Sequence, residues 1–162
     1  MSERALKPAT RRVQEALAAK GLSLEVREFP ASTRTAEEAA AVIGCTLAQI
    51  AKSLIFRARE SDRPLLAIVS GKNRADEGKL AALLGERIVR ADAEFVRARS
   101  GFAIGGVPPV GHLEPPVTFL DSDLQAFDEI WAAAGTPNSV FRLTPHALAQ
   151  ITGAAFVDLR RD

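Results

Sequence analysis

The segment LLAIVSG, residues 65–71, places the strongest constraint on how this chain can fold. It is a continuous apolar run that ends at Ser70 and Gly71. A run of this length that is bounded by glycine is typical of a central strand buried on both faces. The chain is therefore predicted to build a sheet around this segment.

Helical and strand patterns alternate irregularly along the rest of the chain. The predicted helices cover residues 8–20, 35–43, 46–52, 76–85, a segment capped by Asp92, and 144–151. The predicted strands and apolar segments cover residues 23–29, 53–60, 65–71, 87–90, 117–121, 130–131, 140–143 and 154–159. Because no strict βαβ alternation is present, we expect one α+β domain over residues 1–162 with a mixed, curved sheet rather than a doubly wound parallel sheet.

Composition argues against several classes of protein. The formal net charge is +1, whereas a protein that follows a long nucleic-acid backbone is usually more basic. A contact with one end of an RNA remains allowed. The single cysteine, Cys45, has no partner for an internal disulfide, and one cysteine with two histidines does not favour a zinc site.

Location and assembly follow from what the sequence does not contain. No apolar run approaches the ~20 residues that span a bilayer, and the first residues do not contain the apolar core of a signal peptide. We therefore expect a cytoplasmic protein. The near-neutral charge and the absence of a heptad pattern favour a monomer.

The segment GFAIGGVPPVGH, residues 101–112, is unusually rich in glycine and proline. It lacks the G-x-G-x-x-G spacing of a dinucleotide site and the Gly-Lys-Ser/Thr ending of a P-loop. Glycine lets the backbone approach a ligand closely, and proline limits the conformational freedom that binding would remove. Composition alone leaves two interpretations open, a structural turn or a backbone that holds a ligand.

Two charged residues have a functional and a structural interpretation each. Lys52 lies between apolar neighbours where a predicted helix meets a strand, so it either directs a cation into a cleft or extends toward solvent. Asp121, at the end of the strand VTFLD, either positions a polar ligand group or caps the following segment. Ser70 and Gly71 lack the rest of a G-x-S-x-G nucleophile elbow.

Taken in order, these residues resemble the YbaK family, which includes the inserted editing domain of bacterial prolyl-tRNA synthetases. The resemblance rests on Lys52, the strand ending in Ser70-Gly71, residues 76–80, the loop at 101–112 and the strand ending in Asp121. It extends from about residue 20 to the end of the chain. The resemblance implies a barrel-like curved sheet flanked by helices and hydrolysis in trans of the ester that joins a wrong amino acid to tRNA.

The resemblance also implies a site. Lys52 would hold the phosphate of the terminal adenosine, and the G-x-x-x-P signature falls on Gly105–Pro109, which would line the aminoacyl pocket. The remaining expected contacts to substrate are Gly106, Val107, Pro108, Pro109, Ser70, Gly71 and Asp121. His112 is a candidate for direct catalysis, with a structural or substrate-contacting role as the alternative. The loop N–H groups would stabilise the oxyanion, and the lack of an obvious protein base favours assistance by the substrate.

No metal and no organic cofactor is implied, and the expected partner is the acceptor end of a mischarged tRNA, with a synthetase or an elongation factor as a further candidate. We expect alanine or a similar small amino acid on the tRNA for proline, because one methylene is worth only about 1–3 kcal/mol in a synthetase pocket. The alternatives are a Cys-, Ser- or Thr-tRNA deacylase and a module that binds without hydrolysis.

Overall fold

The computed structural model describes residues 7–23 and 25–162 of the chain. Within them lie five α-helices and eight β-strands. The helices are α1 (Pro8–Ala19), α2 (Ala36–Ile43), α3 (Glu77–Leu84), α4 (Ala93–Ser100) and α5 (Pro145–Thr152). The strands are β1 (Val26–Glu28), β2 (Ile50–Ala58), β3 (Pro64–Ser70), β4 (Ile88–Arg90), β5 (Val117–Asp121), β6 (Ile130–Ala133), β7 (Ser139–Leu143) and β8 (Ala155–Val157). The predicted α+β fold is confirmed; residues 1–6, and Leu24 of the predicted strand at 23–29, lie outside the described part.

Local sequence signals explain where the helices begin and end. Thr35 and Glu38 form a reciprocal capping box at the start of α2, which satisfies backbone N–H groups that have no partner within the helix. The side chains of Asp76, Asp92 and Thr144 each accept from one backbone N–H in the first turn of α3, α4 and α5. Four of the helices end at a glycine in the left-handed region: Gly44, Gly85, Gly101 and Gly153. No described helix is both long and apolar enough to cross a membrane.

All eight strands belong to one mixed sheet in which the predicted central strand is the most buried. The order is β1-β7-β6-β2-β3-β5-β8, and β4 pairs with β2 off this path. Every residue of β3 is buried, and it lies between antiparallel β2 and parallel β5. Alternate β3 residues enter two different apolar clusters, with Leu66 and Ile68 in one and Leu65, Ala67 and Val69 in the other.

The segment 46–52 was expected to form a short helix, and this prediction is wrong. Residues Leu47–Gln49 form one 3₁₀ turn, and β2 begins at Ile50. The N–H of Gly71 donates to the carbonyl of Ile50 at 2.8 Å, and Ala51 pairs with both Ser70 and Ala132. Sheet pairing on both sides therefore outweighs the helical propensity of this stretch, and Lys52 becomes the third residue of a strand.

Strand β2 has a complete partner on one edge and an interrupted one on the other. On the first edge, β3 pairs with residues 51–57. On the second edge, β6 pairs only with Ile50 and Ala51, and β4 pairs only with Phe56–Ala58. Residues 52–55 therefore lie along a break in the sheet, between the partner strands β6 and β4.

The glycine-rich loop is attached to the rest of the fold by main-chain contacts. The carbonyl of Gly106 accepts from the N–H of Gly135 at 3.0 Å, while the N–H of Gly106 closes a turn within the loop by donating to the carbonyl of Ala103 at 3.0 Å. A Cβ atom at Gly106 would lie 2.8 Å from the carbonyl carbon of Thr136. Glycine is required here because two backbone segments pass closer than a side chain allows.

We expect Gly106→Ala to lower the free energy of unfolding by about 1–3 kcal/mol, the usual cost of overpacking. Chemical denaturation of the variant and the wild type measures this difference. Gly78→Ala is the matched control, because Gly78 lies on an exposed helical turn where its Cβ would meet only the Asp76 carboxylate at 3.2 Å. Equal losses in the two variants would contradict the role of close backbone approach at Gly106.

Candidate functional site

A cavity of about 240 Å³ opens at the break in the sheet. Residues 52–54 of β2 form one wall, and Ile104, Gly105 and Val107 of the glycine-rich loop form the opposite wall. The apolar end of the cavity is formed by Ala36, Ala39, Ile50, Trp131 and Val140. We call this space the first cavity.

Lys52 reaches the first cavity as a partly anchored cation. Its Nζ donates to the carbonyl of Asn73 at 2.6 Å and to the carbonyl of Gly71 at 3.5 Å. Burial lowers the pKa of the Lys52 ammonium below its ordinary value, and the charge of Glu37 opposes this shift. Because an ammonium has three N–H donors and two are engaged, one remains for a ligand.

A buried carboxylate holds the turn that anchors Lys52. Asp121 is completely buried. Its Oδ2 accepts from the Nδ2 of Asn73 at 2.8 Å and from the N–H of Ser70 at 3.0 Å. The hydroxyl of Ser70 donates to the carbonyl of Ala48 at 2.7 Å. Ser70, Gly71 and Asp121 therefore lie behind the lysine and do not line the first cavity.

Two residues of the loop wall carry main-chain donors that have no partner. Within the described residues, the N–H groups of Gly105 and Val107 have no hydrogen-bond acceptor, whereas that of Gly106 is engaged with Ala103. Gly106, Pro108 and Pro109 are buried and lie outside the lining of the first cavity. The loop therefore brings two residues with free amides to the same cavity as Lys52, whereas its prolines are buried outside that cavity.

His112 lies away from the first cavity. Its Nε2–H donates to the carbonyl of Pro108 at 2.7 Å, and its ring packs near Phe102 with the ring centres 5.9 Å apart. Burial lowers the pKa of the His112 imidazole below its ordinary value; the bond to Pro108 opposes this, and the charge of Arg12 adds to it. The ring lines a different cavity, next to Ala16 and Lys20. The geometry gives this histidine a role in closing the loop.

Arg34 is a residue of the site that sequence reasoning missed. It is exposed, lines the first cavity, and passes across Gly105, where a Cβ would lie 2.5 Å from the Arg34 Cγ. Its side chain makes no ion pair or hydrogen bond within the described part of the chain. No local signal marks it, because the contact joins residues far apart in sequence.

Ser53 was also missed, and the register of β2 explains its position. Ile50 and Ala58 hydrogen-bond toward the β3 side, whereas the carbonyl of Ile55 accepts from Ala91 on the other side. Since successive residues of a strand alternate between its two edges, Ser53 directs its N–H and C=O toward the break. Its hydroxyl is buried without a partner among residues 7–23 and 25–162.

A second cavity of about 210 Å³ adjoins the first. The two share Ser53, Leu54, Ile104, Gly105 and Val107 as a common wall. Beyond that wall, the second cavity is lined by Ile55, Phe56, Arg90, Ala91 and Val96. As for metals, the described residues contain no group of three or more His, Cys, Asp or Glu side chains that could hold an ion.

The fold and the site together define a mixed α+β domain with a lysine at one small cavity in its sheet. The sequence model of the aminoacyl-tRNA editing domain matches residues 30–151. The chain therefore belongs to the aminoacyl-tRNA editing domain family. This confirms the expected YbaK-type family and the expected class of enzyme, a hydrolase that acts on mischarged aminoacyl-tRNA.

Individual relatives are similar over most of their length. A crystal structure described as a "putative trans-editing enzyme for prolyl tRNA synthetase" has 50% sequence identity and a TM-score of 0.91, covering 98% of this chain and 100% of that one. YwhH of Bacillus subtilis is 34% identical over 85% of this chain and 88% of its own length. EbsC of Enterococcus faecalis, named a "Putative Cys-tRNA(Pro)/Cys-tRNA(Cys) deacylase", is 26% identical over 77% of this chain and 76% of its own length.

The lowered pKa of His112 generates a prediction about stability. Because the folded-state pKa lies below the unfolded value of about 6.5, the unfolded state binds more protons between the two values. The free energy of unfolding should therefore fall as the pH drops through about 6.5 toward the folded-state pKa. We expect His112→Gln, which keeps a donor for Pro108, to remove this part of the pH dependence.

Thermal unfolding at a series of pH values between about 7 and 5 measures the effect. His146→Gln is the matched control, because it makes the same substitution at an exposed histidine. A dependence that is the same in wild type and in His112→Gln would show that the burial of His112 is not linked to folding.

Proposed function

We propose that this protein is a trans-editing deacylase that removes alanine, or a similarly small apolar amino acid, from mischarged tRNA for proline. The observation that carries the proposal is the pair of free N–H groups on Gly105 and Val107, two residues that line the same cavity as Lys52. Two donors without an acceptor within the described residues suit an oxygen atom on which negative charge develops.

In the proposed reaction, the ester carbonyl of the substrate lies against the Gly105–Val107 backbone. A water oxygen attacks the carbonyl carbon, and the two N–H groups stabilise the resulting oxyanion. One such donor is typically worth about 3 kcal/mol. The bond from the carbonyl carbon to the ribose oxygen then breaks, the ribose oxygen takes up a proton, and the free amino acid and the tRNA leave.

The proton of the attacking water needs an acceptor. Among the described residues, the lining of the first cavity contains no Asp, Glu or His side chain. Lys52 is committed as a donor to Asn73, and the bond from His112 to Pro108 engages its Nε2 outside this cavity. We therefore assign the role of base to the substrate itself, through the neighbouring ribose hydroxyl, and give His112 the role of holding the loop.

Lys52 is assigned to substrate binding. Its remaining N–H meets a phosphate oxygen of the terminal adenosine, and the carbonyls of Asn73 and Gly71 keep the ammonium pointed in one direction. A positioned cation loses less conformational entropy on binding than a free lysine does. Ser70, Gly71 and Asp121 contribute by supporting this turn.

The preference for a small apolar amino acid follows from the far end of the first cavity. The residues that form that end, Ala36, Ala39, Ile50, Trp131 and Val140, carry no hydroxyl, and the hydroxyls of the lining, on Thr33, Thr35 and Ser53, belong to other parts of the cavity. A serine or threonine substrate would place a hydroxyl there without a dedicated partner, at a cost of about 1–3 kcal/mol. Alanine carries no such group.

Cysteine is the second candidate, because a thiol behaves as a small apolar group and the relative EbsC is named for Cys-tRNA deacylation. The link to tRNA for proline is supported by the 50%-identical structure described as a trans-editing enzyme for prolyl-tRNA synthetase. We further propose that the protein acts as a monomer in the cytoplasm, on the acceptor end of tRNA, and that a synthetase or an elongation factor hands over the substrate.

We expect Lys52→Met to lower kcat/KM for deacylation by about 10- to 150-fold, which corresponds to the about 1.5–3 kcal/mol of a hydrogen bond to a charged group. Methionine keeps most of the side-chain length and removes the ammonium. The measurement is release of labelled amino acid from mischarged tRNA under single-turnover conditions. Lys72→Met is the matched control, since Lys72 is exposed on the adjacent turn and does not line the cavity. Equal rates for Lys52→Met and wild type would refute the assignment.

A panel of tRNAs charged with alanine, cysteine, serine and threonine decides among the substrates. We expect hydrolysis to be fastest with alanine or cysteine, and about tenfold or more slower with serine and threonine because of the unpaired hydroxyl. Faster hydrolysis of the serine or threonine ester would contradict the apolar-pocket argument. Turnover no faster than the spontaneous rate on all four would instead support a module that binds without hydrolysis.

A further inference from the structure

The second cavity has no role in the chemistry described above. Since its common wall with the first cavity includes Gly105 and Val107, an ester placed against their N–H groups lies at the boundary between the two spaces. The amino-acid side chain occupies the apolar end of the first cavity. The ribose on the other side of the ester must therefore extend toward the second.

We propose that the second cavity binds the adenine base of the terminal nucleotide of the tRNA. This inference rests on the proposed function, because it takes the position of the ester from it. The cavity volume of about 210 Å³ is more than ten times the roughly 15 Å³ that a single water needs, which leaves room for a purine ring. Leu54, Phe56 and Val96 give it apolar walls, as the faces of a base require.

Arg90 supplies the polar contact at the second cavity. It is exposed, lines the cavity, and makes no ion pair or side-chain hydrogen bond within the part of the chain that the structure describes. A guanidinium plane stacks readily on a nucleobase. No Asp or Glu side chain of the described residues lines this cavity, so the cation is available to a ligand.

Arg34 occupies the boundary itself. Its stem crosses Gly105, which lines both cavities. The 5′ phosphate belongs to the ribose whose 3′ side carries the ester, so it lies near the same boundary. Arg34 is therefore placed to hold this phosphate together with Lys52, and a larger residue at position 105 would displace the arginine stem.

Binding of adenosine 5′-monophosphate and of ribose 5-phosphate to the intact protein tests this assignment, with titration calorimetry as the measurement. We expect the nucleotide to bind about tenfold more tightly than the sugar phosphate, since stacking contributes this much per base. Ala91→Leu, which fills the second cavity, should remove the preference and leave the binding of ribose 5-phosphate unchanged.

Two arginine variants keep the test independent of whether Ala91→Leu folds. Arg90→Ala should weaken the nucleotide several-fold and leave the sugar phosphate unchanged, whereas Arg34→Ala should weaken both. Arg87→Ala is the matched control, because Arg87 is exposed beside Arg90 in sequence and lines neither cavity.

Equal affinities for the two ligands in wild type, or a preference for the nucleotide that survives in both Ala91→Leu and Arg90→Ala, would overturn the proposal. A change in amino-acid preference in Ala91→Leu, with nucleotide binding intact, would mean that the amino acid occupies this cavity and would overturn it as well. The proposed function has a separate test: absence of hydrolysis with all four charged tRNAs of the panel would refute it, whatever the binding experiments show.

Discussion

The site depends on one interruption in the pairing of β2. Residues 52–55 lie between the short segments that pair with β6 and with β4, so the sheet has an open edge in its interior. An open strand edge exposes main-chain groups that normally pair with another strand. The glycine-rich loop covers this edge without pairing to it, and both cavities form between the two.

The loop can do this because its backbone approaches other backbone directly. Gly106 packs on Thr136, and Gly105 is crossed by the stem of Arg34. From behind, the loop is held by the bond from His112 to Pro108 and by Arg12, which stacks over Phe102 at 4.1 Å and donates to the carbonyl of Gly101 at 3.0 Å. A wall fixed in this way keeps its free amides in place, so little reorganisation accompanies the reaction.

Behind the opposite wall, a buried carboxylate supports Lys52 through other residues. Asp121 holds Ser70 and Asn73, and Asn73 in turn holds Lys52. A buried polar side chain is tolerated when its oxygens are hydrogen-bonded, which explains how Asp121 lies in the core. The sequence left two interpretations of Asp121 open, a ligand contact or a cap. In the structure, Asp121 caps the 3₁₀ turn that follows it by accepting from the N–H of Asp123. It also supports the turn that anchors Lys52.

Local pattern determined much of this protein: the buried β3, the helix caps and glycine ends, and the Lys52 and Gly105–Pro109 signals that mark its family. These depend on residues near each other in sequence, so a single chain reveals them. Tertiary structure alone decided that residues 50–52 pair in the sheet and do not continue a helix. It also decided that His112 lies outside the first cavity, and that Arg34, Ser53 and Arg90 line the cavities. Those positions depend on strand register and on contacts between distant segments, where long-range pairing outweighs local preference.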